Sequence, residues 1–102
     1  GTLLELEGYQ VLYYSETTPI LTTVRNEAPL ALLMDIHLSN ENGLEVSRAI
    51  HRHRPNLATR IILQSGMDLS DASKAAYADA FLLKPYMPEA LLELLHGLLP
   101  HD

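Results

Sequence analysis

The sequence predicts an α/β fold built on parallel strands, because short apolar runs alternate with helix-like segments along its 102 residues. Apolar runs of this length, separated by helical segments, are typical of buried parallel strands. Three runs end in polar side chains: Leu30–Met34 leads into Asp35, Ile61–Leu63 into Gln64 and Ser65, and Ala80–Leu83 into Lys84 and Pro85. Ligands of open parallel sheets bind at the carboxyl ends of the strands. We therefore expect these side chains to meet at one edge of the sheet.

The first half of the chain is predicted to hold two helical segments and two strands. Leu3–Glu7 is predicted as the last turns of a helix that ends at Gly8, where glycine adopts the left-handed conformation at little cost. Gln10–Tyr14 is a predicted strand, with Tyr13 and Tyr14 interpreted as packing residues of the core and sheet edge. Pro19–Asn26 is a predicted short helix, and the strand Leu30–Met34 follows.

The second half alternates in the same way. Gly43–His53 is predicted as a helix because its apolar residues recur at spacings of three and four. The strand Arg60–Gln64, a short helix near Leu69–Ala76 and the strand Ala80–Leu83 follow. Pro88 opens the last helix, where proline is favoured at the first position.

The polar residues at the three strand ends suit one kind of ligand. A carboxylate such as Asp35 can accept a phosphoryl group, a hydroxyl such as that of Ser65 can donate a hydrogen bond to it, and the ammonium group of Lys84 supplies a fixed positive charge. The residues therefore predict a phosphoryl-binding site.

Three stretches resemble the receiver domain of two-component response regulators. They are LLMDIHLSNENGLE around Asp35, IILQSG with Ser65, and AFLLKPY with Phe81 and Lys84. The resemblance covers nearly the whole chain and implies a flavodoxin-like, doubly wound, five-stranded parallel sheet in the order 2-1-3-4-5. It also implies a cis bond between Lys84 and Pro85.

The same resemblance implies that the first strand and the start of the first helix lie upstream of Gly1. Residues 1–102 would then be a single receiver domain truncated at its N-terminus, preceded by about twenty further residues, the usual size of such a unit. Without that central strand, its neighbours would stand roughly twice the usual 4.8 Å apart. Either those upstream residues are disordered or left out of this chain, or this fragment cannot form the usual sheet.

The resemblance also assigns roles to individual residues. Asp35 would accept a phosphoryl group from a histidine kinase or phosphotransfer protein, and Ser65 and Lys84 would bind the transferred oxygens. Ser65 and Phe81 would move together as a switch. Mg2+ would be held by Asp35, the backbone carbonyl of His37 and acidic residues upstream of the chain. The domain would be a signalling domain and not an enzyme. Its only catalysis would be its own phosphotransfer and autodephosphorylation.

Two other functions compete with this interpretation. The first is a pseudo-receiver, which keeps the fold and acts as a protein-interaction module without phosphorylation. The second is a phosphatase with an aspartate nucleophile, which usually has a second aspartate two residues later; His37 occupies that position here. Each site residue also has a plain structural alternative: a turn residue for Asp35 and Ser65, a surface lysine for Lys84, and core packing for Phe81.

Composition narrows the partners and the compartment. A net charge of −6 disfavours nonspecific binding of nucleic acid or an anionic membrane. The chain has no cysteine, which suits a reducing cytoplasm, and no apolar run of the length of a membrane helix.

The family's output face comprises the fourth helix, the last strand and the last helix. This face would bind a second copy of the chain or a downstream protein.

Overall fold

The computed structural model describes residues 2–14, 29–38, 40–55 and 57–98. In these ranges the strands are β1 (Thr2–Leu6), β2 (Tyr9–Tyr14), β3 (Ala31–Asp35), β4 (Arg60–Ser65) and β5 (Ala80–Leu83). The helices are α1 (Gly43–His53), α2 (Ser70–Ala75) and α3 (Pro88–Leu98). The predicted helix Pro19–Asn26 lies outside the described residues.

The five strands form one mostly parallel sheet, in the order β1-β2-β3-β4-β5. Strands β2 to β5 pair in parallel, and β1 pairs antiparallel with β2. The prediction of an α/β fold with a five-stranded sheet is confirmed. The carboxyl ends of β3, β4 and β5 all lie at the same edge, as expected from the strand-end residues.

The prediction of a helix at Leu3–Glu7 is wrong, because these residues belong to a β-hairpin. Leu6 pairs with Tyr9 across a two-residue turn in which Glu7 and Gly8 have φ angles of 49° and 87°. Two successive positive φ angles are typical of the hairpin turn whose twist matches that of the strands. Gly8 therefore does adopt a left-handed conformation, but it reverses a strand instead of ending a helix. A segment this short cannot hold a helix by its own hydrogen bonds, whereas pairing with β2 satisfies its backbone.

The strand order 2-1-3-4-5 and the gap left by a missing strand are also not observed. β2 pairs directly with β3, with Val11 opposite Ala31 and Tyr14 opposite Met34. Unpaired backbone groups on two buried strands are costly, and closing the sheet satisfies both. The described chain thus pairs β2 with β3 and adds β1 as an antiparallel edge.

Helices cover both faces of the sheet, so the fold has three layers. One face carries α1 and α2 over a core that includes Leu32, Met34, Ile50 and Leu63. The other face carries α3, whose buried residues Leu91 and Leu95 pack with the strand residues Val11, Ala31, Leu33, Ile62 and Leu82. Successive residues of a strand point to opposite faces, and the two clusters alternate along β3 and β4 accordingly.

The later elements agree with the sequence-based predictions. Gly43–His53 and Ala80–Leu83 have the predicted bounds, and Pro88 begins the last helix. The helix predicted near residue 70 is shorter than expected, with six residues. None of the helices in the described part of the chain is long and apolar enough to cross a membrane.

Candidate functional site

Four polar side chains form a row across the carboxyl edge of the sheet. Asp35 ends β3 and pairs in register with Gln64 of β4. Lys84 directly follows β5, and Tyr13 lies near the end of the neighbouring strand β2. Tyr13 packs with the core on the α3 side of the sheet. The site is therefore built by four neighbouring strands.

The Asp35 carboxylate accepts hydrogen bonds from three of these side chains. Lys84 Nζ and Gln64 Nε2 each donate to Oδ1 over 2.9 Å. The Tyr13 hydroxyl donates to Oδ2 over 2.6 Å. Tyr86 extends the network, because its hydroxyl donates to the amide oxygen of Gln64. The Asp35 carboxylate thus accepts hydrogen bonds from an ammonium group, an amide and a phenol hydroxyl.

This network keeps Asp35 ionised. Its side chain is 19% exposed, and burial alone raises the pKa of a carboxyl group. The hydrogen bonds from Tyr13, Lys84 and Gln64, together with the charge of Lys84, outweigh burial and hold the pKa of Asp35 below its ordinary value. The hydrogen bond to Asp35, with burial and the nearby negative charge, raises the pKa of Tyr13 to about 12. Tyr13 therefore remains a hydrogen-bond donor at neutral pH.

Helix α1 begins directly against the backbone of Asp35, and glycine makes this approach possible. The Gly43 amide donates to the Ile36 carbonyl over 2.7 Å. A Cβ atom at Gly43 would lie 2.5 Å from the Asp35 carbonyl oxygen and 2.8 Å from the Ile36 Cα. Asn42 caps the helix by accepting a hydrogen bond from the Leu44 amide over 2.8 Å. The loop after Asp35 is thereby held by both of its ends.

On the other side of the site, the Lys84–Pro85 peptide bond is cis, as the resemblance implies. The Lys84 amide donates to the Ser65 carbonyl over 2.8 Å, which continues the β4–β5 pairing to the site. This positions the Lys84 side chain beside Asp35.

Ser65 and Phe81 are placed differently from the row of four. Ser65 ends β4 and is buried, and its Oγ accepts a hydrogen bond from the Met67 amide over 3.1 Å. None of the hydrogen bonds among the described residues joins Ser65 to Asp35. Phe81 is opposite Leu63 and packs partly buried against the core on the α1 side. Their predicted roles in phosphoryl binding and switching stay predictions.

A family model described as the response regulator receiver domain matches residues 1–96. The chain belongs to the receiver domain family. This confirms the family inferred from the three sequence motifs. Domains of this family act as phosphoacceptors in two-component signalling. A comparison with curated proteins found no match.

Solved receiver structures support the same fold. A receiver domain protein from Methanospirillum hungatei JF-1 is 32% identical, with a TM-score of 0.64 over 76% of this chain and 62% of that chain. A signal receiver domain from Bermanella marisrubri is 25% identical, with a TM-score of 0.67 over 76% of this chain and 66% of that chain. The receiver domain of NtrX from Brucella abortus is 23% identical, with a TM-score of 0.66 over 81% of this chain and 72% of that chain, and this match supports the fold alone. The chain thus spans slightly less than two thirds of the proteins in the first two matches.

Receiver domains generally bind Mg2+ at the phosphorylation site, but the described residues do not by themselves form such a site. Among them, no group of three or more His, Cys, Asp or Glu side chains could hold a metal ion. Both oxygens of Asp35 already accept hydrogen bonds from protein donors. His37 is exposed and bridges to Asn42, and the role of its carbonyl stays a prediction.

Sequence reasoning missed three members of the Asp35 network. Tyr13 was interpreted as packing, yet its hydroxyl contacts the carboxylate. Gln64 and Tyr86 had no predicted role, although Gln64 donates to Asp35 and accepts a hydrogen bond from Tyr86. A signal was present, because a polar residue that ends an apolar run, such as Gln64, needs a partner when buried. The tyrosines gave a weaker signal, since their rings also suit a core.

Proposed function

We propose that this receiver domain accepts a phosphoryl group on Asp35 in a two-component phosphorelay. The observation that carries the proposal is the half-buried Asp35 carboxylate, at the end of β3 with the ammonium group of Lys84 2.9 Å from its Oδ1. Asp35 would be the nucleophile, held ionised by its hydrogen bonds. The phosphodonor in the cell would be a histidine kinase or a phosphotransfer protein, the partners of receiver domains.

Lys84 supports this role through its charge and its exposure. Its side chain is 45% exposed, so the ammonium group can turn toward a phosphoryl group that arrives from solvent. A cation beside the transferred oxygens stabilises the negative charge they carry in the transition state. Ser65 is proposed as a second donor to those oxygens, after its Oγ reorients from its contact with Met67.

A mass measurement tests the assignment of Asp35. The protein is incubated with acetyl phosphate, with and without Mg2+, and its intact mass is followed over time. We expect a gain of one phosphoryl group that is lost in Asp35→Asn and kept in Asp71→Asn, which changes an exposed aspartate on α2. An equal gain in Asp35→Asn would overturn the assignment.

The alternative function is an interaction module that is not phosphorylated. Two observations favour it: three donors already occupy the Asp35 carboxylate, and the described residues lack an acidic cluster beside it. This alternative predicts no mass gain from acetyl phosphate or from a phosphorylated kinase. The same experiment therefore separates the two functions.

Further parts of the proposal follow from the family. Residues 1–102 would act as one receiver unit in the cytoplasm, with catalysis limited to its own phosphorylation and dephosphorylation. Ser65 and Phe81 would carry the conformational change. A second copy of the chain or a downstream protein would bind at α2, β5 and α3, the elements that correspond to the family's output face.

A further inference from the structure

The two oxygens of Asp35 differ in how many lone pairs remain free. A carboxylate oxygen offers about two acceptor positions. Oδ1 accepts from both Lys84 and Gln64, so its positions are filled. Oδ2 accepts only from Tyr13 among the hydrogen bonds that Asp35 makes with described residues. Oδ2 is therefore the oxygen with a lone pair available for attack on phosphorus.

We propose that Tyr13 is a gate for the phosphorylation of Asp35: its hydroxyl restrains Oδ2, the attacking oxygen, and is released when the phosphoryl group arrives. This inference rests on the proposed function and adds a positioning residue to it. Tyr13 lies on β2, whereas Ser65 and Phe81 lie on β4 and β5. The gate therefore gives the site a second element that responds to phosphorylation.

The transfer itself weakens the hydrogen bond from Tyr13 to Oδ2. With acetyl phosphate, Oδ2 forms a bond to phosphorus while the bond from phosphorus to the acetate oxygen breaks, and acetate leaves with the electron pair. No proton is transferred, and Tyr13 keeps its own. Oδ2 then bridges carbon and phosphorus and no longer carries a shared negative charge, so it becomes a weaker acceptor for the hydroxyl.

The position of Tyr13 allows this release without disruption of the sheet. Its backbone pairs with Leu33 of β3, which anchors the residue, while its ring packs at the margin of the core on the α3 side and is partly exposed. The hydroxyl can therefore swing away from Oδ2 by side-chain rotation alone.

Two single-atom deletions on neighbouring residues test the gate. Tyr13→Phe removes the hydroxyl that contacts Asp35. Tyr14→Phe is the matched control, because the Tyr14 hydroxyl also donates to a carboxylate, that of Glu41 over 2.7 Å, but not to Asp35. The rate of phosphoryl gain from acetyl phosphate is measured for both variants and the parent protein.

We expect Tyr13→Phe to gain its phosphoryl group roughly tenfold to hundredfold faster than the parent, the factor that corresponds to one hydrogen bond to a charged group. Tyr14→Phe should react at the parental rate. An unchanged or slower rate in Tyr13→Phe, with the parent still phosphorylated on Asp35, would overturn the gate and leave the proposed function intact. Loss of phosphorylation in every protein would overturn the proposed function itself.

A measurement on the parent protein removes any dependence on the folding of the variants. The side-chain NMR signals of Tyr13 and Tyr14 are followed before and after phosphorylation. Release of the hydroxyl predicts a larger shift for Tyr13 than for Tyr14. Equal shifts, or none at Tyr13, would contradict the gate.

Discussion

At the scale of single residues, the chemistry depends on what surrounds one carboxylate. Asp35 is charged because hydrogen bonds from three donors outweigh its partial burial. Helix α1 can begin against the Asp35 backbone because residue 43 is a glycine and has no Cβ atom. Lys84 supplies charge, and Gly43 supplies space. These two contributions can be separated by substitution.

Lys84→Ala should impair the response of the domain more than its stability. The ion pair with Asp35 is partly exposed, and such pairs contribute about 0–1 kcal/mol to the free energy of unfolding. Tyr13 and Gln64 would still contact the carboxylate. We expect the variant to fold, but the NMR signals of Phe81 should no longer shift when beryllofluoride is added. A shift of Phe81 like that of the parent protein would refute this role of Lys84.

Gly43→Ala should destabilise the fold, because its Cβ would meet the Asp35 backbone at 2.5 Å. Forcing a methyl group into such a close approach costs about 1–3 kcal/mol of unfolding free energy. Gly97→Ala is the matched control: Gly97 lies in α3, and no atom of the described residues, apart from its chain neighbours and its own helix backbone, lies within 4 Å of its Cβ position. There alanine should stabilise the helix by about 0.5–1 kcal/mol. Chemical unfolding of both variants measures the two values, and equal effects would contradict the steric argument.

At the scale of secondary-structure elements, α2 is the shortest described helix. It has six residues, and its N-cap, Leu69, makes no side-chain hydrogen bond to the helix. The buried hydroxyl of Ser73 has no hydrogen-bond partner among the described residues, which costs stability. One contact opposes this, because Ser47 of α1 donates to the Ala76 carbonyl at the end of α2 over 2.7 Å.

We therefore expect α2 to open more readily than α3. Two turns of helix are marginal without strong packing, whereas α3 has eleven residues and buries Leu91 and Leu95. Amide hydrogen exchange should show lower protection over Ser70–Ala75 than over Pro88–Leu98, and the larger change in α2 on addition of beryllofluoride. Equal protection, unaffected by beryllofluoride, would indicate a rigid α2 and another route for the signal.

At the scale of the whole molecule, the charge state of Asp35 links stability to pH. The pKa of Asp35 in the folded protein lies below the ordinary value of 3.8. Its carboxylate therefore contributes stability that is present above this value and is lost as the pH falls through the folded-state pKa. In chemical unfolding, the stability advantage of the parent over Asp35→Asn should be largest near neutral pH and shrink in acid. An advantage that grows in acid would contradict the lowered pKa.

Several parts of the fold could be predicted because they depend on local sequence pattern. The bounds of Gly43–His53 and Ala80–Leu83 and the start of the last helix at Pro88 were predicted as observed. Apolar spacing and the rigid ring of proline act within a few residues, so they can be read from neighbours along the chain. The proximity of Asp35 and Lys84 was also predictable, because parallel strands place their carboxyl ends at one edge.

The way in which β1 and β2 join the sheet could not be predicted from local pattern. Leu3, Leu4 and Leu6 fit a helix or a strand equally well, and the choice depended on the pairing partner that β2 offered. The direct pairing of β2 with β3 then brought the Tyr13 hydroxyl to Asp35. Such a contact depends on the register of strands that are distant in sequence. Local sequence pattern does not reveal which strands pair, because pairing depends on the backbone hydrogen bonds and core packing of the complete sheet.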